Sequence, residues 1–495
     1  MIRISVFSSV CIINTSVDYT LNEALYNVLS YKKKDAYFLR NSLIRKWNYA
    51  RELQSNIGYA ALTKQSPDLV WLTKQSWTAL QDSIERMSVE RLYDRKNNRF
   101  PTGLLNKVTD YLEENNLQFE LDDRRKVPTT RKVYRKIKKP PPLRYYQEEI
   151  VQACLNNPRG IIEAATGTGK TNCIVELIYQ LKNKTLVVVP SSTILLQFHE
   201  ILEAVFGKKH IGMITGNKKQ LNKSISIATY QSLPNIDKTW FKDINTLIVD
   251  ECHHSGADTL VNLNLECFND IYYRYFFSGT AYRNDGKDMS LQSVISDQFL
   301  YKYPASKGIE DGYLVPVYFF IQDIYHDDPQ STWQKELKNL IVTNESYNQK
   351  IIDRANSLNK KGVGTIIFID QIQHGQYLEK RIPNSKFANG TEKRAINMQM
   401  IRDFNKGKFN VLIGTSVLGE GVDTVRAQYG IMAGGGKAKS SVIQRIGRLL
   451  RPFPGKKEAI VLDFTHQNTK YLNQHFQERL NVYEEFGKNK IKYIK

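Results

Sequence analysis

Residues 163–171 constrain the fold of this chain more than any other segment of its 495 residues. They read Glu-Ala-Ala-Thr-Gly-Thr-Gly-Lys-Thr, follow the apolar pair Ile161-Ile162, and precede residues 172–178, whose apolar side chains recur with helical spacing. A strand, a glycine-containing loop and a helix in this order are typical of a nucleotide phosphate site. Ala164 stands where the strict pattern has its first glycine, and a Gly/Thr-rich turn that binds nothing is the simpler alternative. The segment therefore predicts an α/β fold with a candidate phosphate loop.

Each part of this loop has a chemical reason. The two glycines let the backbone approach phosphate oxygens with its N–H groups pointing inward, and the following helix turns its positive end toward the same anion. The lysine is expected to reach the β- and γ-phosphates, and the last threonine to ligate Mg²⁺. The residues expected to contact the nucleotide and its metal here are Thr166, Gly167, Thr168, Gly169, Lys170 and Thr171.

A second candidate group, Asp250 and Glu251, follows an apolar run further along the chain. An acidic residue at a strand end near a phosphate loop can hold Mg²⁺, and a second one can orient the attacking water. Asp250 fits the first role and Glu251 the second; a plain helix start is the alternative. A zinc site made from Cys252, His253 and His254 is disfavoured, because three adjacent residues cannot all face one tetrahedral ion.

Residues 444–451 read Gln-Arg-Ile-Gly-Arg-Leu-Leu-Arg and offer the positive charge that phosphoryl transfer needs near the γ-phosphate. On a helix, Gln444 and Arg448 are four residues apart and share a face. Arginines brought to the phosphate from a second lobe make hydrolysis depend on lobe closure and are worth roughly 10³–10⁵ in rate. The alternative is an ordinary basic helix face. The expected catalytic residues are Lys170, Glu251, Gln444, Arg445 and Arg448.

The composition suits a globular protein with a polyanionic partner. A net charge of +20 and a pI near 9.4 favour nucleic acid, and 41% hydrophobic residues exclude a wholly disordered chain. Five cysteines without a Cys-x-x-Cys pair argue for a reducing compartment, and no stretch approaches the ~18 apolar residues of a membrane span. We expect a soluble, cytoplasmic protein.

Alternating apolar strands and amphipathic helices after residue 142 predict two successive α/β blocks with parallel sheets. Before them, nine basic residues and no acidic one lie between Arg124 and Lys139, followed by three prolines. This connector is either a solvated spacer or a segment that also touches phosphates. The predicted segments are a small α+β domain (1–126), the basic linker (127–142), the first α/β domain (143–308), the second (309–470) and a C-terminal helix (471–495).

Taken in order, these motifs resemble those of the superfamily two helicases and translocases across residues 143–470. One motif is modest evidence, but the ordered set is highly specific. The matching segments are 143–147 (adenine reading), 164–171 (motif I), 189–192 (motif Ia), 229–233 (strand contact), 250–253 (motif II, in its DECH form), 278–281 (motif III), 389–391 (motif IVa), 414–423 (motif V) and 444–451 (motif VI).

The resemblance implies two tandem RecA-like domains, with ATP and Mg²⁺ between them and a nucleic-acid strand across their top. Ser191 stands where the family often has threonine, which keeps the hydroxyl. Contacts from hydroxyl and N–H groups to phosphates carry no sequence information, so low sequence specificity is expected. The implied roles are nucleotide contact for Gln147, Gly421 and Asp423, metal binding for Thr171 and Asp250, nucleic-acid contact for Pro190, Ser191, Thr229 and Thr415, and coupling for His253, Ser278 and Thr280.

Residues 99–105, Arg-Phe-Pro-Thr-Gly-Leu-Leu, lie in a short N-terminal domain that is similar to that of UvsW-type phage helicases, above all the branched-DNA helicases of T-odd phages. This likeness implies an ATP-dependent DNA helicase or translocase that acts on forks and Holliday junctions, works in a host-cell cytoplasm and has no stable protein partner. Three alternatives stay open: an RNA helicase, the motor of a restriction complex, and an ATP-gated clamp or annealing factor that does not unwind.

Overall fold

A four-stranded sheet opens the chain in the computed structural model, which describes residues 1–33, 36–128, 137–251, 257–279, 288–327, 330–418 and 423–494. Its strands lie in the order β5-β2-β1-β6, with β1 antiparallel to β2 and parallel to β6. The N-terminal elements are β1 (Ile2–Val6), β2 (Val10–Ile13), α1 (Tyr19–Val28), β3 (Ser30–Lys32), α2 (Ala36–Ile57), α3 (Tyr59–Gln65), α4 (Val70–Thr73), α5 (Trp77–Ser88), β4 (Val89–Arg91), β5 (Arg99–Pro101), α6 (Leu105–Glu114) and β6 (Phe119–Asp123).

Helices α2 to α5 form an appendage, which we call the helical arm (residues 36–88). It is inserted between β3 and β4, which pair antiparallel at its base. Its own core is small and consists of the buried side chains Ala50, Leu69, Leu72, Leu80 and Ile84. The sequence patterns do not predict this arm.

The N-terminal sheet is docked rigidly on the following domain. Arg274 is fully buried and makes five hydrogen bonds, one of them to Ser9 Oγ at 2.9 Å. Arg159 donates to the carbonyl oxygen of Ser8, and burial lowers its pKa to about 9. The turn at Gly103 lies so close to the domain that a Cβ there would overlap the carbonyl oxygen of Gln292. Such dry, close contacts fix the two units relative to each other.

The first α/β domain contains an eight-stranded sheet in the order β10-β9-β11-β8-β12-β13-β7-β14 within the described residues. All neighbours pair in parallel except β9 and β10. The elements are α7 (Tyr145–Asn156), β7 (Arg159–Ala164), α8 (Lys170–Leu181), β8 (Thr185–Val189), α9 (Ser192–Phe206), β9 (Ile211–Thr215), β10 (Lys218–Lys219), β11 (Ile225–Thr229), β12 (Thr246–Asp250), α10 (Ala257–Cys267), β13 (Tyr273–Ser278), α11 (Asp288–Val294), β14 (Phe299–Tyr303) and α12 (Ala305–Glu310).

The second α/β domain contains seven parallel strands in the order β17-β18-β16-β19-β20-β15-β21, again within the described residues. Its elements are β15 (Val317–Tyr325), α13 (Trp333–Glu336), a π-helical turn (Leu337–Val342), α14 (Glu345–Lys360), β16 (Thr365–Phe368), α15 (Ile372–Glu379), β17 (Ser385–Ala388), α16 (Arg394–Asn405), β18 (Val411–Gly414), β19 (Tyr429–Met432), α17 (Lys439–Leu449), β20 (Ala459–Gln467), α18 (Tyr471–Glu484) and β21 (Ile491–Ile494). Short 3₁₀ turns lie at Pro67–Leu69, Thr102–Leu104, Tyr230–Asn235, Lys238–Asp243, Ser416–Leu418 and Lys488–Lys490.

The two parallel sheets confirm the predicted fold class of tandem RecA-like domains. Central strands such as Leu186–Val189 and Val411–Ile413 are buried on both faces, which is why their sequences are continuously apolar. Beyond residue 470 the chain forms α18, which packs Phe476 and Tyr483 into the second core, and then the edge strand β21, which the sequence analysis did not predict. None of the described helices is long and apolar enough to cross a membrane.

Candidate functional site

The strand order of the first sheet brings three candidate segments to one edge. Strand β13 lies between β12 and β7, and its residues pair in register as Asp250 with Phe277 and Glu163 with Ser278. The carboxyl ends of parallel strands meet at the same edge of a sheet, which is where open α/β folds bind ligands. The phosphate loop, Asp250 and Ser278 are therefore neighbours, although far apart in sequence.

The phosphate loop has the conformation that its glycines suggested. Gly167 and Gly169 have φ angles of 90° and 80°, in the left-handed region that side chains rarely adopt. The hydroxyl of Thr168 donates to the carbonyl oxygen of Ala165 at 2.7 Å and tightens the turn. Lys170 begins α8, so the N-terminal N–H groups of that helix face the loop. This geometry suits an anion held by backbone groups.

Lys170 and Glu251 are joined by an ion pair of 2.9 Å between Nζ and Oε1. Glu251 has a left-handed φ of 51°, and its carboxylate also accepts from the backbone N–H of Gly279 at 2.8 Å and from the hydroxyl of Ser278 at 3.3 Å. One carboxylate thus links the phosphate loop to the end of β13. Ser278, for which a coupling role is predicted, contacts the carboxylate of Glu251 directly. The other two predicted coupling residues, His253 and Thr280, lie outside the described residues.

Asp250 is 7% exposed, and burial raises its pKa to about 7, with the nearby charge of Glu251 adding to the effect and Lys170 opposing it. Thr171 lines the same cavity as Asp250. A hydroxyl and a carboxylate supply the oxygen ligands that Mg²⁺ prefers, and the ion takes its other ligands from phosphate and water. These two residues fit a nucleotide-bound divalent cation. Among the described residues, no group of three or more His, Cys, Asp or Glu could hold a metal; Cys252, His253 and His254 are outside them.

A cavity of about 560 Å³ lies between the two α/β domains. The first domain lines it with Thr166, Gly167, Gly169, Lys170, Thr171, Pro190, Ile194, Gln197, Phe198, Glu200, Ile201, Asp250 and Glu251, and the second with Asp423, Val425, Gln444, Arg448, Arg451 and Pro452. The domains touch at the loop itself, because a Cβ at Gly447 would lie 2.5 Å from Cβ of Thr166. The predicted nucleotide residue Asp423 is part of this lining, and Gly421 lies outside the described residues.

The arginines in and just after α17 divide between two environments. Gln444 and Arg448 share the face of α17 that lines the cavity, and Arg451, just beyond the end of the helix, lines it as well. Arg445 is about 100° away from Gln444 on the helix and pairs with Asp370 at 2.9 Å. We expected Arg445 at the phosphates; the structure corrects this, because Arg445 is held within the second domain. Arg451, absent from the expected catalytic residues, pairs with Asp423 and packs against Gly167. Arg451 lies beyond Leu449, the last residue of α17, so helical spacing alone does not place it.

The loop residues of motif VI are supported from behind. The buried ammonium of Lys456 donates to the carbonyl oxygens of Arg451 at 2.8 Å and Ala427 at 2.6 Å, and burial lowers its pKa to about 7. Asp370 accepts from the N–H of Gly436 at 2.9 Å as well as from Arg445. These bonds hold both ends of α17 in place.

Gln147, the predicted adenine reader, is 2% exposed and uses its amide within the chain. Its Oε1 accepts from the N–H of Arg144 at 2.9 Å, and its Nε2 donates to the carbonyl oxygen of Thr168 at 2.9 Å. A Cβ at Gly169 would lie 2.5 Å from this Nε2. Gln147 thus supports the phosphate loop and does not line the interdomain cavity.

The four predicted nucleic-acid residues stand at carboxyl ends of strands. Pro190 and Ser191 follow β8, Thr229 ends β11, and Thr415 follows β18. Ser191 Oγ accepts from the N–H of Ile194 at 3.4 Å, which caps α9, and Thr229 shares a 2.8 Å hydrogen bond with Ser232. Pro190 also lines the cavity. The hydroxyls of Ser191 and Thr229 have local partners, and nucleic-acid contact stays a prediction for all four residues.

Comparisons with known proteins agree with this architecture. Residues 141–283 match the family model described as type III restriction enzyme, res subunit, and residues 346–452 match the helicase conserved C-terminal domain. The ATP-dependent DNA helicase uvsW of Enterobacteria phage T4 is 25% identical over 71% of this chain and 76% of its own length. Putative helicase 22 of a Sulfolobus islandicus filamentous virus is 24% identical over 66% of this chain, which spans only 64% of that relative.

A solved structure supports the fold alone. Dbp5 of Saccharomyces cerevisiae, bound to RNA and ADP BeF3, matches 71% of this chain and 90% of its own chain with a TM-score of 0.54 and 17% identity. The two family models cover the loop side and the arginine side of the interdomain cavity in turn. The chain belongs to the superfamily two helicases, a family of nucleic-acid-dependent ATPases.

Proposed function

We propose that this chain is an ATP- and Mg²⁺-dependent DNA translocase that unwinds or branch-migrates branched DNA. The observation that carries the proposal is the interdomain cavity, in which Lys170 and Glu251 lie on one wall and Arg448 and Arg451 on the other. Such an arrangement makes hydrolysis depend on the closure of two domains, which is what couples a motor to its track.

The residues of the cavity have distinct tasks in this proposal. The backbone of the phosphate loop and Lys170 bind the triphosphate, and Lys170 then leaves Glu251, whose freed carboxylate orients a water molecule. Thr171 and Asp250 would hold the metal, which would supply positive charge against the phosphates. Arg448 and Arg451 add positive charge from the second domain. Ser278 and Gly279 donate hydrogen bonds to the carboxylate of Glu251 and so connect it to the end of β13.

DNA is the preferred track for three reasons. The chain carries a net charge of +20, hydroxyls suited to phosphate contact stand at the carboxyl ends of the strands, and the relative from phage T4 bears the name of a DNA helicase. In this proposal the N-terminal sheet, which is docked firmly on the first domain, is the second surface that a branched substrate contacts.

The test is the ATPase rate with single-stranded DNA, linear duplex, forked duplex, a Holliday junction and single-stranded RNA as stimulators. We expect the strongest stimulation and strand separation with the fork and the junction, and loss of both in Lys170→Ala. Preferential stimulation by RNA overturns the DNA assignment. Strong stimulation by every DNA without strand separation favours a clamp over a motor.

A further inference from the structure

The helical arm has an aromatic surface that its small core does not explain. Three of the five tryptophans of the chain lie in it, although its core contains only five buried side chains. The exposed large apolar side chains of the arm, among those that the structure describes, are Tyr37, Tyr49, Tyr59, Trp71, Trp77 and Met87, and five of these six are aromatic. Exposed rings are the side chains on which unpaired bases stack.

Part of this surface forms one contiguous patch, which we call the aromatic–basic patch (Trp47, Arg51, Tyr59, Lys74 and Trp77). The rings of Trp47 and Trp77 lie 5.5 Å apart, and the Arg51 guanidinium stands 4.7 Å over Trp47. The Lys74 ammonium stands 5.6 Å over the ring of Tyr59. The indole N–H of Trp47 donates to the carbonyl oxygen of Gln75 at 3.1 Å, which joins the two halves of the patch.

Charge and exposure suit a polyanion with flat groups. The arm (residues 36–88) contains seven basic side chains, Arg40, Arg45, Lys46, Arg51, Lys64, Lys74 and Arg86, against the four acidic ones Glu52, Asp68, Asp82 and Glu85. Tyr59 and Trp77 keep 42% and 43% of their surface exposed. Exposed rings beside cations are the usual construction of sites for unpaired nucleotides, in which bases stack and phosphates meet positive charge.

The base of the arm is fixed to the motor. Strand β3 contacts α11 through a hydrogen bond between the hydroxyls of Tyr31 and Ser290, and the adjoining N-terminal sheet is held by Arg274. A strand bound to the arm would therefore keep a defined distance from the first α/β domain.

We propose that the aromatic–basic patch is a separate binding site for single-stranded DNA, used independently of ATP. The inference rests on the proposed function, since it assigns this site to an unpaired strand of the branched substrate. It also gives the arm a role that neither the phosphate cavity nor the strand-end hydroxyls perform.

The experiment measures binding of a fluorescein-labelled oligo-dT to the full chain by anisotropy, without nucleotide. We expect the Kd to rise about 25-fold or more in the double variant Tyr59→Ala/Trp77→Ala, because each of the two rings removed accounts for a stacked base that contributes about 1–3 kcal/mol. Tyr49→Ala is the matched control, because this exposed tyrosine lies on α2 about 200° around the helix from both Trp47 and Arg51. The Kd of this variant for oligo-dT should match that of the unmodified chain.

A second variant guards against misfolding of the arm. Arg51→Glu/Lys74→Glu leaves Tyr59 and Trp77 in place and should weaken oligo-dT binding most strongly at low salt. Unchanged Kd values in both double variants overturn the proposal, and so does an equal loss of affinity for a blunt duplex of mixed sequence. Because binding is measured without ATP, a chain that binds oligo-dT through the patch but shows no DNA-stimulated hydrolysis refutes the proposed function and leaves this site intact.

Discussion

Thr166 of the phosphate loop and Gly447 of α17 meet across the interdomain boundary, where a Cβ on residue 447 would lie 2.5 Å from Cβ of Thr166. Gly447→Ala should therefore hold the two domains apart and lower the ATPase kcat on the order of 10²-fold, as a displacement of about 1 Å does at a catalytic site. Gly216→Ala is the matched control, because a Cβ there meets open space. Unchanged kcat in Gly447→Ala would mean that hydrolysis does not need this closed contact.

The ion pair between Lys170 and Glu251 predicts two different defects. Lys170→Ala removes a phosphate contact and should abolish both nucleotide binding and hydrolysis. Glu251→Gln keeps the size of the side chain and its hydrogen bond from Gly279, so it should bind nucleotide while kcat falls about 10²–10⁴-fold. Fluorescent-nucleotide binding and steady-state ATPase rates separate the two; turnover near that of the unmodified chain would remove either residue from its role.

Replacing the arginines in and just after α17 should lower the ATPase kcat to very different extents. Arg448→Ala and Arg451→Ala each remove a charge that lines the cavity, and we expect kcat to fall by roughly 10³-fold or more. Arg445→Ala breaks the pair with Asp370 inside the second domain and should act through stability and loop position, with a smaller loss of kcat. Single-turnover rates at saturating ATP provide the comparison, and a larger defect in Arg445→Ala than in Arg451→Ala would reverse the assignment.

A buried ion pair fastens α18 to the second sheet. Arg479 donates to both oxygens of Asp463 at 2.7 and 3.0 Å, and Tyr483 donates to the same carboxylate at 2.6 Å. Arg479→Met leaves that carboxylate buried without its cation and should destabilise the fold by about 3–5 kcal/mol. Urea unfolding measures the loss. The exposed Lys488→Met serves as the control, because a surface pair with Glu484 contributes little.

His374 predicts a loss of stability in acid. It is 1% exposed, its Nε2 lies 2.7 Å from Oδ1 of Asn348, and burial lowers its pKa from 6.5 to about 4. Below pH 6.5 this histidine becomes protonated in the unfolded chain but not in the folded chain. The free energy of unfolding therefore falls as the pH is lowered from 6.5 to about 4, by up to about 3 kcal/mol. The thermal midpoint of His374→Gln should depend less on pH over this range than that of the unmodified chain. An unchanged dependence of the midpoint on pH would contradict the role given to His374.

Sequence patterns predicted the parallel sheets and the loop well, because buried strands and phosphate loops are local features. Residues 185–189 are continuously apolar after Thr185, as a strand buried on both faces must be, and Gly167 supplies the left-handed φ that the loop requires. The helical arm was missed because few of its residues are buried, so its apolar side chains produce only a weak helical periodicity.

Side-chain direction was the other limit. Arg445, Arg448 and Arg451 are equivalent in composition, and only the packing of α17 against its sheet decides which of them faces the other domain. Likewise, Gln147 matches its motif, yet burial turns both ends of its amide toward the backbone of its own chain.

Strand β13 carries Arg274 near its start and Ser278 at its end. Arg274 donates a hydrogen bond to Ser9 of the N-terminal domain, and Ser278 donates one to the carboxylate of Glu251. Five residues of one central strand, 274–278, thus connect the N-terminal domain with the candidate site of hydrolysis. For the proposed motor this connection has a mechanical consequence: the N-terminal sheet, the arm and the first α/β domain would act as a stator, against which the second α/β domain moves.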